Sequence, residues 1–253
     1  MEYLYHYTNL SSLALILKNK TIRFNSLINM DDAEEAKTKN SEYLGKYCFV
    51  SSWTDQADES IPFWGLYTHQ MSGVRIKMKK CPFNKNTASL PYYNDGKPFE
   101  TYFPQSLIDR NDIYLYPTLP FLRKIEYTKN DDFIYPSPIT YLKRNADGSY
   151  NIQGCFNDIN RYKRDSWLFQ SEWRYSMMIF PHDTLGKLNL QLEANTKDMP
   201  FYYYDFPISE EAFSDIEITT GPKMNAGDKI LLQALVEKYC PTAQVKDSSL
   251  LIN

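Results

Sequence analysis

Glycine is scarce in this chain, with nine in 253 residues. That disfavours a fold built around a glycine-rich dinucleotide turn. Histidine is scarcer still. His6, His69 and His182 are the only three, and none has the HExxH spacing of a zinc protease. The four cysteines, Cys48, Cys81, Cys155 and Cys240, are dispersed without a CxxC pair. They read as reduced thiols, and no metal site is expected. No apolar run approaches the roughly 20 residues of a membrane span. The start, MEYLYHYTNL, lacks a basic region followed by an apolar stretch. The expectation is a cytoplasmic protein that does not engage a membrane. Basic charge is not in excess either: 28 Lys and Arg stand against 31 Asp and Glu, a net charge of −3. That argues against a nucleic-acid coat and leaves room only for a local basic patch.

What the chain has is aromatic surface. Tyr, Phe and Trp make up 15% of it, hydrophobic residues 43% and charged residues 23%, a composition suited to a folded, strand-rich domain. Tyr3 to Thr8 reads as a strand. Leu10, Leu13, Ile16 and Leu17 follow helical spacing, with Asn9 as cap and Asn19 at the left-handed end. Thr21 to Asn25 alternates as a half-buried strand. Asn29-Met30-Asp31-Asp32 is a turn opening a polar helix from Ala33 onward.

Cys48 to Ser52 is a strand, and Ser60 caps a short helix running to His69. Gly73 to Lys79 alternates, with Val74, Ile76 and Met78 inward and Arg75, Lys77 and Lys79 outward. Residues 81–116 read as an insertion over the core. Leu122 to Tyr127 is a strand, a hairpin turns near Asn145 to Gly148, and a helix is expected from Phe156 to Arg164. Strands follow at Glu172 to Phe180, Phe201 to Phe206 and Ile216 to Thr220. Asn225 with Asp228 caps the helix Ala226 to Tyr239, and Ala243 to Lys246 closes the sheet. The elements interleave without a regular βαβ rhythm and no linker divides them. The predicted architecture is one α+β domain over residues 1–253, with two packed or strongly bent mixed β-sheets and peripheral helices.

Five clusters could carry chemistry. His6 and Thr8 share one face of the first strand, where the imidazole can meet a sugar hydroxyl; the alternative is a His satisfied by backbone among aromatics. Glu172 and Arg174 share a strand face, and a carboxylate beside a guanidinium stays ionised; the alternative is a plain ion pair. Trp64 and Tyr67, three apart on a helix, offer a stacking wall for a flat ring, or simply core. Arg23 with Asn25 and Ser26, ahead of Asn29 and Asp31, can read phosphate or ribose, or can be an Asn/Asp turn. Thr219-Thr220-Gly221-Pro222-Lys223 lacks the spacing of a phosphate loop and reads as a turn.

Several segments together resemble one family. They are Tyr5-His6-Tyr7-Thr8, Leu13 to Leu17, Thr21-Ile22-Arg23-Phe24, Asn29 to Glu34, Cys48-Phe49-Val50-Ser51, Phe63-Trp64-Gly65-Leu66-Tyr67, Gly73-Val74-Arg75-Ile76, Ser171-Glu172-Trp173-Arg174 and Thr220-Gly221-Pro222-Lys223. In this order they resemble the bacterial family filed as domain of unknown function 2971. Asn29-Met30-Asp31-Asp32 departs from the Asn-Asp-Pro turn expected there. The order of blocks also looks like the ADP-ribosyltransferase fold.

That second resemblance implies an NAD-dependent enzyme that transfers ADP-ribose to a protein side chain or a nucleic-acid base, in the manner of a toxin or phage-defence effector. It implies His6 and Glu172 as catalytic residues, with Glu172 on the ribose 2′-hydroxyl and His6 on the nicotinamide ribose or adenosine side. Trp64 or Tyr67 would stack on nicotinamide. Tyr7, Thr8, Arg23, Ser52 and Arg174 complete the implied NAD-binding set. Two other readings stand beside it. One is a non-catalytic nucleotide- or partner-binding module. The other is a nucleic-acid binding or processing protein using Arg75, Lys77, Lys79 and Lys80.

Overall fold

In a computed structural model, residues 2–39, 44–117, 121–144, 146, 150–181 and 198–252 are described. The chain is mixed α+β, with open mixed sheets and few helices. The strands are β1 (Tyr3–Thr8), β2 (Thr21–Ser26), β3 (Cys48–Thr54), β4 (Val74–Lys79), β5 (Asn86–Ala88), β6 (Phe99–Thr101), β7 (Ile113–Tyr116), β8 (Leu122–Lys124) and β9 (Glu126–Thr128). They continue as β10 (Ile139–Arg144), β11 (Tyr150–Gly154), β12 (Tyr162–Arg164), β13 (Glu172–Pro181), β14 (Tyr203–Pro207), β15 (Glu217–Thr220) and β16 (Gln244–Lys246). Among the described residues the helices are α1 (Leu10–Asn19), α2 (Ile61–Tyr67), α3 (Gln105–Ile108), α4 (Asp131–Ile134), α5 (Glu210–Ser214) and α6 (Ala226–Tyr239). No helix among the described residues is long and apolar enough to cross a membrane.

Strand pairing sets up the site. β13 runs antiparallel along β3, with Glu172 opposite Thr54, Arg174 opposite Ser52 and Met178 opposite Cys48. Glu172 and Ser176 turn their backbone groups the other way: the Glu172 carbonyl accepts from Ile125 N at 2.8 Å, and Ser176 N donates to Phe121 O at 2.8 Å. In an antiparallel ladder, β3 therefore meets β13 through Trp53, Ser51 and Phe49, and turns Thr54, Ser52 and Val50 to its opposite edge. Two strands share that opposite edge. Tyr5 of β1 pairs with Thr54, while Asn25 and Ser26 of β2 pair with Val50 and Phe49. Between these contacts β1 and β2 part, and the sheet forks. β4, β15 and β16 continue beyond β1, and β14 lies beyond β2.

Local chemistry fixes the elements around the fork. Asn9 Oδ1 accepts from Ser12 N at 2.7 Å to start α1, whose Leu13, Ile16 and Leu17 are buried. Lys20, not Asn19, takes the left-handed position at its end, φ 53°. Asn225 Oδ1 accepts from Asp228 N at 2.9 Å and starts α6. The backbone crosses itself closely beside β1: Gly221 N donates to Gly73 O at 2.8 Å. A Cβ on Gly73 would lie 2.3 Å from Thr8 O, so only glycine fits there.

Four expectations need correction. No helix follows Ala33; residues 33–36 form turns. Glu34 is drawn to Arg164 at 3.0 Å and Glu35 to Arg174 and Lys163, and these ion pairs outweigh helix propensity. Phe156 to Arg164 is one 3-10 turn followed by β12, parallel to β9. Asn160 there takes φ 61° and points its amide inward to Cys48 Sγ. Arg75 does not face solvent. It is 4% exposed, its guanidinium lies 4.7 Å from the Tyr5 ring, and Nη1 donates to Ala57 O. β4 lies between β1 and β15, so both of its edges are paired. Residues 81–116 do more than lie over the core. Phe83, Leu90, Phe103, Leu107, Ile113 and Leu115 join the main hydrophobic cluster, and β7 is a sheet strand against β13. The expected hairpin strands pair as β10 and β11; of its turn, Asn145, Asp147 and Gly148 lie outside the described residues.

Candidate functional site

The fork opens a cleft of about 250 Å³. β1 contributes Tyr5, His6 and Tyr7, β2 Arg23 and Asn25, and β3 Ser51, Ser52 and Trp53. The turn after β2 adds Asp31 and Glu35, and α2 adds Phe63 and Tyr67. Lys163, Gln170 and Glu172 form the floor.

His6 bridges the fork. Its Nδ1–H donates to Ser52 O at 2.9 Å, a carbonyl directed to the edge where neither β1 nor β2 pairs. A carbonyl only accepts, so Nδ1 carries the proton and Nε2 is left as an acceptor. Burial lowers the His6 pKa, and the Ser52 contact offsets this only in part. The ring is therefore neutral at pH 7, packed 5.1 Å from Trp53.

The floor rests on a quartet of two carboxylates and two cations, Glu35, Glu172, Lys163 and Arg174. Arg174 Nε donates to Glu172 Oε1 at 2.6 Å, and Nη2 donates to Glu172 Oε2 at 3.1 Å and to Glu35 Oε1 at 2.8 Å. Lys163 Nζ lies 2.7 Å from Glu35 Oε1, 3.2 Å from Glu172 Oε2 and 3.0 Å from Gln170 Oε1. Its three protons meet three acceptors. Burial alone would raise the Glu172 pKa. The charges of Arg174 and Lys163, with the Arg174 hydrogen bonds, outweigh it and hold the carboxyl below the usual range. Ser52 Oγ helps to lower that pKa, yet it is buried without a well-formed hydrogen bond of its own.

The remaining residues expected from the sequence divide. Tyr67 borders the cleft, its ring 5.4 Å from Phe63, and its hydroxyl accepts from Gln170 Nε2. Burial, then the Glu172 charge, raises its pKa, so it is protonated. Tyr7 lines the cleft and stacks on Phe63 at 4.9 Å. Arg23 lines it too, held by Asp205 at 2.7 Å and lying 3.8 Å from the Tyr203 ring. Thr8 does not line it. With His6, Arg23 and Ser12 it borders a separate cavity of about 110 Å³ on the α1 side. Trp64 is fully enclosed, edge-on to Tyr7, with Nε1 donating to Glu59 at 3.1 Å, and it reaches no part of the cleft. Arg174 is also fully enclosed beneath Glu172, so it serves the carboxylates and not a ligand.

Sequence reasoning missed Glu35, Lys163 and Gln170. Glu35 and Lys163 fell in segments expected to be helices, where charged residues default to the surface. Gln170 stood two residues before Glu172, but its role depends on Lys163. The basic row is largely neutralised. Lys77 pairs with Glu217 at 3.3 Å, Lys79 with Asp215 at 3.2 Å, and Lys80 lies 3.7 Å from the Trp173 ring centre. No family model, curated protein or solved structure matches the chain.

Proposed function

We propose that the fork cleft binds the nicotinamide–ribose half of NAD and that the chain is an ADP-ribosyltransferase-like enzyme. The observation that carries this reading is the Glu172 carboxylate, ionised and fixed at the floor of a cleft walled by Phe63 and Tyr67. Cleaving the bond between nicotinamide and C1′ sends its electron pair to the pyridinium nitrogen. Nicotinamide leaves neutral without needing a proton, and positive charge develops on the ribose ring. A fixed carboxylate on a ribose hydroxyl offsets that charge as it forms. His6 Nε2 supplies a second acceptor for ribose, and the aromatic wall suits a flat ring. The acceptor of ADP-ribose is a protein side chain or a nucleic-acid base.

A non-catalytic nucleotide-binding module is the second reading. It is favoured by one feature: both Glu172 oxygens already accept from cations. The neutralised row on β4 removes the main support for nucleic-acid binding. Incubation with NAD separates the first two readings. Calorimetric binding with nicotinamide release above the protein-free rate supports the enzyme, binding without release supports the module, and the absence of both binding and release refutes the NAD reading in either form.

A further inference from the structure

The hydrogen bonds on the cleft floor have a direction that chemistry alone fixes. An ammonium only donates, so the Gln170 atom 3.0 Å from Lys163 Nζ is the carbonyl oxygen. The other end of that amide is then the NH₂ group, and it donates to the Tyr67 hydroxyl oxygen. Lys163 is held in turn by Glu35 and Glu172, each nearly enclosed. Gln170 is 5% exposed, so the amide has little freedom to turn over.

Tyr67 therefore accepts from Gln170 and keeps its own proton. Among the described residues nothing takes that proton, and the hydroxyl borders the cleft. The neighbouring Glu172 is an acceptor only. Its Oε1 takes one well-formed hydrogen bond, from Arg174 Nε, and keeps a lone pair. The cleft thus presents one fixed donor beside one fixed acceptor, both tied to the same lysine.

We propose that Gln170, oriented by Lys163, presets Tyr67 as a hydrogen-bond donor, and that the Tyr67–Glu172 pair selects a ligand hydroxyl that accepts from one while donating to the other. A sugar hydroxyl does both. A bare carbonyl cannot donate to Glu172, and an ammonium cannot accept from Tyr67. Gln170 and Lys163 are positioning residues; Tyr67 is the specificity contact. This inference rests on the NAD reading above, in which the hydroxyl belongs to the nicotinamide ribose.

The test measures binding of NAD and of its analogues lacking the 2′- or the 3′-hydroxyl on the nicotinamide ribose. The proteins are wild type, Tyr67→Phe and Gln170→Glu, with thermal melts recorded alongside. A glutamate at 170 accepts from both Lys163 and Tyr67, turning the phenol proton away from the cleft while keeping the ring. The expected result is a wild-type preference for NAD over one deoxy analogue. That preference shrinks by about 2- to 12-fold in both variants, the worth of one hydrogen bond. Loss of packing alone weakens all three ligands together and leaves the ratio unchanged, which overturns the inference. A ratio that falls in Tyr67→Phe but not in a folded Gln170→Glu overturns the positioning role of Gln170. If Gln170→Glu does not fold, Tyr67→Phe decides the donor. Failure of wild type to bind any of the three overturns the NAD reading itself, and this inference with it.

Discussion

Replacing Glu172 with Gln removes one negative charge from between two buried cations. The quartet of Glu35, Lys163, Glu172 and Arg174 is formally neutral; the variant leaves it at +1. The new amide has a single accepting oxygen. It cannot serve Arg174 Nε, now at 2.6 Å from Oε1, and also Arg174 Nη2 and Lys163, now at Oε2. Removing one partner of a buried ion pair costs about 3–5 kcal/mol. For a chain of this size, each kcal/mol lowers the melting temperature by roughly 2–4 °C.

The pH dependence follows from the depressed pKa of Glu172. Its stabilising contribution is fully present above the unfolded value of about 4.3 and is lost as pH falls through the lower folded value. Wild type and variant should therefore converge in stability on acidification below about pH 4. Turnover should fall by about 10²–10³-fold, while NAD affinity changes far less, because the charge matters most once the bond is breaking. The assay is nicotinamide release at temperatures where both proteins are folded. Thermal melts of both proteins, recorded in the assay buffer, are the control for loss of fold. Equal release by wild type and Glu172→Gln removes Glu172 from catalysis. A stability loss below about 1 kcal/mol refutes the buried-pair argument.

Gly73→Ala should cost about 1–3 kcal/mol in urea unfolding, because the new methyl meets the Thr8 carbonyl at 2.3 Å; an unchanged midpoint would show that β1 yields there. Burial depresses the His6 pKa, so the unfolded chain takes up a proton near pH 6.5 that the folded chain resists. Stability should fall below that pH by at most about 1.4 kcal/mol per pH unit, and His6→Asn should flatten the melting profile between pH 7.5 and 5.5.

Where the determinants of an element lie within it, the sequence was legible. Asn9 and Asn225 accept the amides that their positions suggest, α1 forms over the apolar period read for it, and α6 forms over the span read from its cap. The ends slipped by a residue or two, as when Lys20 took the left-handed position in place of Asn19. Segments whose fate depends on distant partners were not legible. Ala33 to Ala36 has a helix-forming composition, but Glu34 and Glu35 are claimed by Arg164, Lys163 and Arg174, more than 120 positions along the chain. Arg75 alternates like a solvent residue, yet it lies between Tyr5 and Tyr7 on one side and the Ala57 carbonyl on the other.

The site shows the same limit more sharply. His6, Tyr67 and Glu172 stood out by residue type, but what brings them to one cleft is a register. β13 lies against β3 so that Glu172 faces Thr54 and Arg174 faces Ser52. The same alignment leaves the Ser52 carbonyl in the fork for His6. A one-residue slip would reverse every side chain on β13. Glu172 and Arg174 would then leave the face shared with Ser52 for the one that holds Tyr175, a fully enclosed aromatic. There the two would keep each other but lose Glu35 and Lys163, and buried ions left with part of their partners cost several kcal/mol. The quartet thus selects the register at the same time as it aims the carboxylate. A Glu-x-Arg pattern in the sequence shows that the two charges share a face, but only the strand paired beside them decides which face it is.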